Sequence, residues 1–196
     1  MSVWDDGTKH LYSETRPIHL RPPTPPPLDE IPASAILGHY KNINQTYGHL
    51  VDIRAICLEL DASRERFVQS IRELDGDWSS VAGATDEADW SPRELTEHLA
   101  YSETGLLWLA TTVTNIEAPY LLNYTPNFET RTDGIEGIIA IGDTCRPIYE
   151  QFSDLDLRKP VESPFSMGFE QTVWGAITRN ITHADEHATT MNQIRT

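Results

Sequence analysis

Apolar residues recur along four stretches of this chain at alternating spacings of three and four, the signature of helices that each bury one stripe. The first stripe runs Leu50, Ile53, Cys57, Leu60, Arg64, Phe67, Ile71 and Leu74. Only Arg64 interrupts it, and Gly76 closes it. The second begins at Ser91-Pro92-Arg93-Glu94, an N-cap serine, a proline at the first helical position and a capping-box glutamate. It continues through Leu95, His98, Ser102, Gly105/Leu106, Leu109, Val113 and Ile116, with Pro119 just past its end. The third is expected to start at Asp133-Gly134-Ile135-Glu136 and to carry Ile135, Ile138, Gly142, Cys145, Tyr149 and Phe152. Pro147 predicts a kink or break near residues 143–147, because proline removes one ladder bond and crowds the preceding turn. The fourth carries Val173, Ile177, Asn180, Ala184, His187, Met191 and Ile194, with His183 on its flank. No convincing strand and no internal repeat are visible. Four such helices predict an all-α fold, a four-helix bundle. The connection between the second and third helices is the longest, and residues 118–132 read as a candidate substrate lid.

Ahead of the stripes the composition changes. Residues 1–32 hold seven of the 13 prolines, including the run Pro22-Pro23-Thr24-Pro25-Pro26-Pro27. Consecutive prolines have fixed φ and no amide donors, so this segment reads as an extended, Pro-rich N-terminal arm. Trp4, Tyr12, Ile18 and Leu20 are its expected docking points. Residues 33–47 read as a short leading helix. The division is therefore an arm over 1–32 and a helical bundle with its leading helix over 33–196.

Charge narrows the function. The net charge of −15 in 196 residues repels nucleic acid and anionic membrane, which excludes both as partners. The longest apolar stretches, such as 105–110 and 138–141, are far too short to span a bilayer. The N-terminal residues show neither the basic region nor the apolar run of a signal peptide, so a cytoplasmic location is expected. Cys57 and Cys145 fall in apolar helical contexts and read as reduced core thiols rather than a disulfide framework.

Three histidines carry the candidate chemistry: His98 in the second helix, and His183 with His187 in the fourth. Positions i and i+4 of a helix share a face, so His183 and His187 can aim two imidazoles at one point. His98 is the further histidine that falls on a core stripe. Three neutral imidazoles would hold a divalent ion and leave a coordination position open. The segment His183-Ala184-Asp185-Glu186-His187 lacks the glutamate that follows the first histidine of a zincin. On spacing alone, a metal site and a pair of hydrogen-bonded core histidines fit equally well. Nearby polar residues are candidates to orient a ligand or touch substrate: Glu94 and Tyr101 flank His98, and Arg179, Asn180 and Glu186 flank the pair. Arg64 is a candidate clamp for a substrate carboxylate, so the expected substrate-binding set is Arg64, Tyr101 and Arg179.

The text around these histidines resembles a known family. Trp90-Ser91-Pro92-Arg93-Glu94-Leu95-Thr96-Glu97-His98-Leu99 is similar to the start of the second helix in the DinB/YfiT-like metalloenzymes. The segment from Asp156-Leu157, through Met167-Gly168-Phe169, to a helix carrying His183, His187, Gln193 and Ile194 resembles that family's C-terminal part. The resemblance covers residues 46–196 and leaves the arm outside. It implies a four-helix bundle with a metal held by His98, His183 and His187. It also implies chemistry of the family's thiol-dependent transferases and isomerases, which use low-molecular-weight thiols. The expected function is thus a metal-dependent transferase, or less directly a hydrolase, in which the ion activates a thiol or water. Zinc is the first choice of metal; nickel, iron and copper also suit imidazole. The expected partners are a small-molecule substrate, a low-molecular-weight thiol and a second copy of the chain. The rival expectation is a non-catalytic helical scaffold whose metal is structural or absent.

Overall fold

The computed structural model describes residues 52–79, 90–118, 121, 123–162 and 169–194. The arm over 1–32, the leading helix over 33–47 and Leu50 lie outside the described residues. The described part is mainly helical: α1 (Ile53–Arg72), α2 (Pro92–Thr111), α3 (Arg131–Tyr149), a single turn α4 (Asp154–Leu157) and α5 (Val173–Ile194). Among the described residues there is no strand, only a bridge between Pro160 and Thr172 at the foot of α5. No helix there is long and apolar enough to cross a membrane.

Local chemistry sets the helix starts. Asp52 accepts from the amide of Arg54 and caps α1. Ser91 and Glu94 form the reciprocal capping box of α2, with Pro92 at the first position. The third helix starts earlier than Asp133. Thr130 is its N-cap, and Asp133 reaches back to the Thr130 amide as the acidic partner of a capping box. Pro147 does not break α3, which runs on to Tyr149. The proline sits in the last turn, where only one ladder bond is lost and few turns remain to be displaced. At the foot of α5, Thr172 Oγ1 accepts from the Gly175 amide. Gly175 is required there because a Cβ would overlap the backbone carbonyl oxygen of Glu170.

Pairings between helices fix the directions. Early residues of α2, Arg93 and Glu97, bond Asn127 and the Phe128 amide at 2.7 and 2.9 Å, just before α3 begins. Helices α2 and α3 therefore run the same way, and the chain between them returns along the length of α2. Asp61 in the first half of α1 pairs with Arg146 near the end of α3, so those two are antiparallel. Arg66 late in α1 meets Asp185 late in α5 at 2.8 Å, so those two are parallel. The order is up, down, down, up. Helices α1 and α2 each pack against both α3 and α5, which leaves α1 opposite α2 and α3 opposite α5 across the axis.

The core is continuous through Ile56, Phe67 and Ile71 of α1, Leu95, Leu99 and Leu107 of α2, Ile138, Cys145 and Tyr149 of α3, and Ile177, Ile181 and Met191 of α5. The segment before α3 belongs to this structure. Trp78 donates its indole N–H to the Phe128 carbonyl at 3.0 Å, and its own carbonyl accepts from the Arg93 amide at 3.1 Å. Residues 127 and 128, read from sequence as part of a lid, are thus fastened to the start of α2 and to the chain end of α1.

Candidate metal centre

Two helices build the site. His98 lies in the second turn of α2, and His183 lies at the middle of α5 with His187 one turn beyond, on a helix that runs antiparallel to α2. One atom from each ring gathers in a set whose members all lie within 4.8 Å of one another. His183 Nε2 is 3.2 Å from His98 Nε2 and 2.8 Å from His187 Nε2. His183 and His187 are buried, while His98 is half-buried at the rim. The rings of His98 and His183 stand nearly perpendicular, at 89° and 4.9 Å between centroids, and Trp90 packs edge-on against His98 at 4.8 Å.

These donors fit a small divalent cation. Tetrahedral bonds of about 2.0–2.1 Å to imidazole place neighbouring nitrogens about 3.3 Å apart. The observed 3.2 Å matches, the 2.8 Å pair needs to open by about 0.5 Å, and the third pair, His98 with His187, lies within 4.8 Å. The protonation states also suit a ligand set. Burial lowers the pKa of His98 to about 4 and that of His187 to about 3, with the Arg179 charge adding to both. Burial pushes His183 well below the ordinary value, and the other two rings and Arg179 push the same way. Near neutral pH the three rings are therefore uncharged and offer lone pairs, the form a metal needs. His183 Nδ1 is buried and has no hydrogen-bond partner among the described residues.

Around this cluster lie a few polar groups. Ser102 Oγ stands 3.4 Å from His98 Nε2. Arg179 is half-buried, bonds Thr182 Oγ1 at 2.9 Å and pairs with exposed Glu186 at 2.8 Å. Its charge acts on all three histidines. Tyr101, three residues beyond His98, is exposed. Arg64 is elsewhere, and its charge is met within the chain. Its guanidinium bonds both oxygens of Glu103 at 2.8–3.1 Å and Asp61 at 2.6 Å in the interior. Burial opposes the charge on Arg64, and the paired Glu103 more than restores it. Where a substrate clamp was expected, the Arg64 guanidinium is engaged by Glu103 and Asp61.

Glu103 was missed in the sequence because a glutamate inside a helix reads as solvated surface. The available signal was its place four residues from both Leu99 and Leu107. The protein's own thiols are not at the site. Burial raises the pKa of Cys57 to about 11 and holds Cys145 higher still, so both stay protonated. A cavity of about 130 Å³ lies between α2 and α3, beside Tyr124, Ile141 and Cys145, and none of the three histidines lines it.

No family model, no curated protein and no solved structure matches the chain.

Proposed function

We propose that this chain is a DinB-like four-helix bundle in which His98, His183 and His187 hold one divalent metal ion, zinc in the first instance. We further propose that it is a thiol-dependent transferase acting on a small-molecule substrate. The observation that carries this reading is the convergence of three uncharged imidazoles, two of them buried, from two antiparallel helices. Three neutral ligands leave a bound ion its full charge and an open position, which lowers the pKa of a thiol or water placed beside it. The thiol must come from solution, because Cys57 and Cys145 are buried and protonated. His98 stands at the half-buried rim, so the approach is along its side of α2. Arg179 and Tyr101 flank that approach as the groups to orient a polar or anionic substrate.

Elemental analysis of the purified full-length chain tests the centre. One ion per chain is expected, and His98→Ala, His183→Ala and His187→Ala should each lower that content severalfold with helical content retained. Undiminished metal in all three variants overturns the assignment. Cobalt substitution tests the chemistry. Adding a low-molecular-weight thiol should produce a sulfur-to-metal charge-transfer band. A cobalt spectrum insensitive to thiol, azide and pH indicates a closed structural site and the non-catalytic scaffold instead.

A further inference from the structure

One polar layer crosses the core just beyond the histidines, and each long helix contributes one residue to it. Arg64 of α1 donates to Glu103 of α2 through both Nε and Nη2. Tyr149 of α3 donates its hydroxyl to Glu103 Oε1 at 3.3 Å. Asn180 of α5 donates its Nδ2 to the Tyr149 oxygen at 3.1 Å. All four are buried. Gly142 leaves room for the arginine, since a Cβ there would lie 3.1 Å from Arg64 Nη1. A buried polar group without a partner is costly, so a layer of this kind is stable only when its members are satisfied.

Two buried side-chain atoms among the described residues have no partner: Asn180 Oδ1 and His183 Nδ1. They belong to residues three apart on α5, and such positions are neighbours on a helix face. They are also complementary. A histidine that binds an ion through Nε2 keeps its proton on Nδ1 and must donate it, whereas a carboxamide oxygen only accepts. The Nδ2 of Asn180 is committed to Tyr149, so its oxygen is the end left for His183.

We infer that Asn180 is the positioning residue of the metal centre. Its Oδ1 accepts from Nδ1–H of His183, directly or through one buried water, and so keeps the Nε2 lone pair turned to the ion. The layer of Tyr149, Glu103 and Arg64 holds the carboxamide in that orientation. This gives a purpose to the arginine that interrupts the α1 stripe. The inference rests on the metal reading above.

Zinc is the probe, and full-length protein freed of metal is the sample. Zinc affinity is measured by chelator competition, and the imidazole protons by nitrogen-resolved NMR. In the zinc-loaded protein, His183 should be the Nδ1–H tautomer with that proton protected from solvent exchange. Asn180→Leu, close in shape but without an acceptor, should weaken zinc about ten- to hundredfold and expose the Nδ1 proton to exchange. Asn180→Asp retains an acceptor and should stay within a few fold of the unaltered protein. Equal zinc affinity in Asn180→Leu overturns the inference, as does an Nδ1 proton that stays protected there. If that variant fails to fold, the unaltered protein decides: His183 bound through Nδ1, or a fast-exchanging Nδ1 proton, overturns it. Refusal of zinc by the unaltered protein removes the metal reading and this inference together, whereas zinc binding indifferent to Asn180 removes the inference alone.

Discussion

At the scale of single residues, the most consequential polar side chain outside the histidines is Glu103. Its carboxylate is the counter-charge of buried Arg64, and their side chains are only 7% and 9% exposed. Removing one partner leaves the other charged and unmet in the core, which costs about 3–5 kcal/mol. Glu103→Ala should lower unfolding free energy in urea by about that amount. Arg64→Met combined with Glu103→Leu should cost clearly less than Glu103→Ala alone, because no stranded charge remains. A Glu103→Ala cost under about 1 kcal/mol, the range of an exposed pair, would show the pair to be solvated. Tyr149 supplies a pH signature from the same layer. Burial first, and then the Glu103 charge, raise its pKa well above 10.0, while Arg64 and the bond from Asn180 pull the other way. Between pH 10 and the folded value, the unfolded chain releases this proton and the folded chain keeps it. Stability therefore holds below pH 10 and falls as pH rises above it. The stability difference between the unaltered protein and Tyr149→Phe should shrink across that range; a difference independent of pH from 9 to 11 would place the hydroxyl in water. Arg64 was visible in the sequence as an interrupted stripe. Its partner was not, because a helical glutamate is ordinarily exposed and pairing across the axis leaves no local spacing to read.

At the scale of elements, the helix starts were legible where a side chain caps its own helix. The Ser91–Glu94 box is in place, with the Ser91 amide bonded to Glu94 Oε2 at 2.9 Å. Ser91→Ala should cost about 1 kcal/mol in thermal or chemical unfolding, the usual worth of such a cap. No measurable change would mean that the first turn of α2 is held by the Trp78–Arg93 contact instead. The start of α3 was misplaced because Thr130 and Asp133 both resemble caps. Asp133 is the reciprocal acid of the box, not its first residue. The buried face of α2 was read only in part. Leu95 and Leu109 of the expected stripe are buried, but His98, Ser102 and Leu106 between them are half-buried, and the buried arc also takes in Leu99, Glu103 and Leu107. Packing against both α3 and α5 widens that arc, so apolar residues fall on two adjacent rows and the pattern alone does not choose. The placement of the arc matters for chemistry. It puts His98, a half-buried residue, at the edge of the interface, where its Nε2 can meet His183.

At the scale of the whole molecule, the topology decides which helix ends meet. The long connection after α2 spans residues 112–130, and as extended chain it can easily cover a 20-residue helix of about 30 Å. Length permitted the return, but a helix-hairpin reading and this crossover place the same stripes in the core, so the sequence pattern does not distinguish them. The histidine cluster was legible for the opposite reason. It needs only the fixed i,i+4 geometry within α5 and the antiparallel placement of α2 beside it. An ion bound there ties these two helices together across 85 residues of chain. Zinc that binds the folded chain and not the unfolded one adds about 2.7 kcal/mol when free zinc is 100 times its dissociation constant. For a domain of this size, that raises the midpoint by about 5–10 °C. Thermal unfolding of metal-free protein should therefore climb with added zinc and return on chelation. His98→Ala should lose most of the response, since His183 and His187 lie on one helix and cannot tie it to another. A midpoint that ignores zinc concentration, or an equal rise in His98→Ala, would separate the three histidines from any ion that joins α2 to α5.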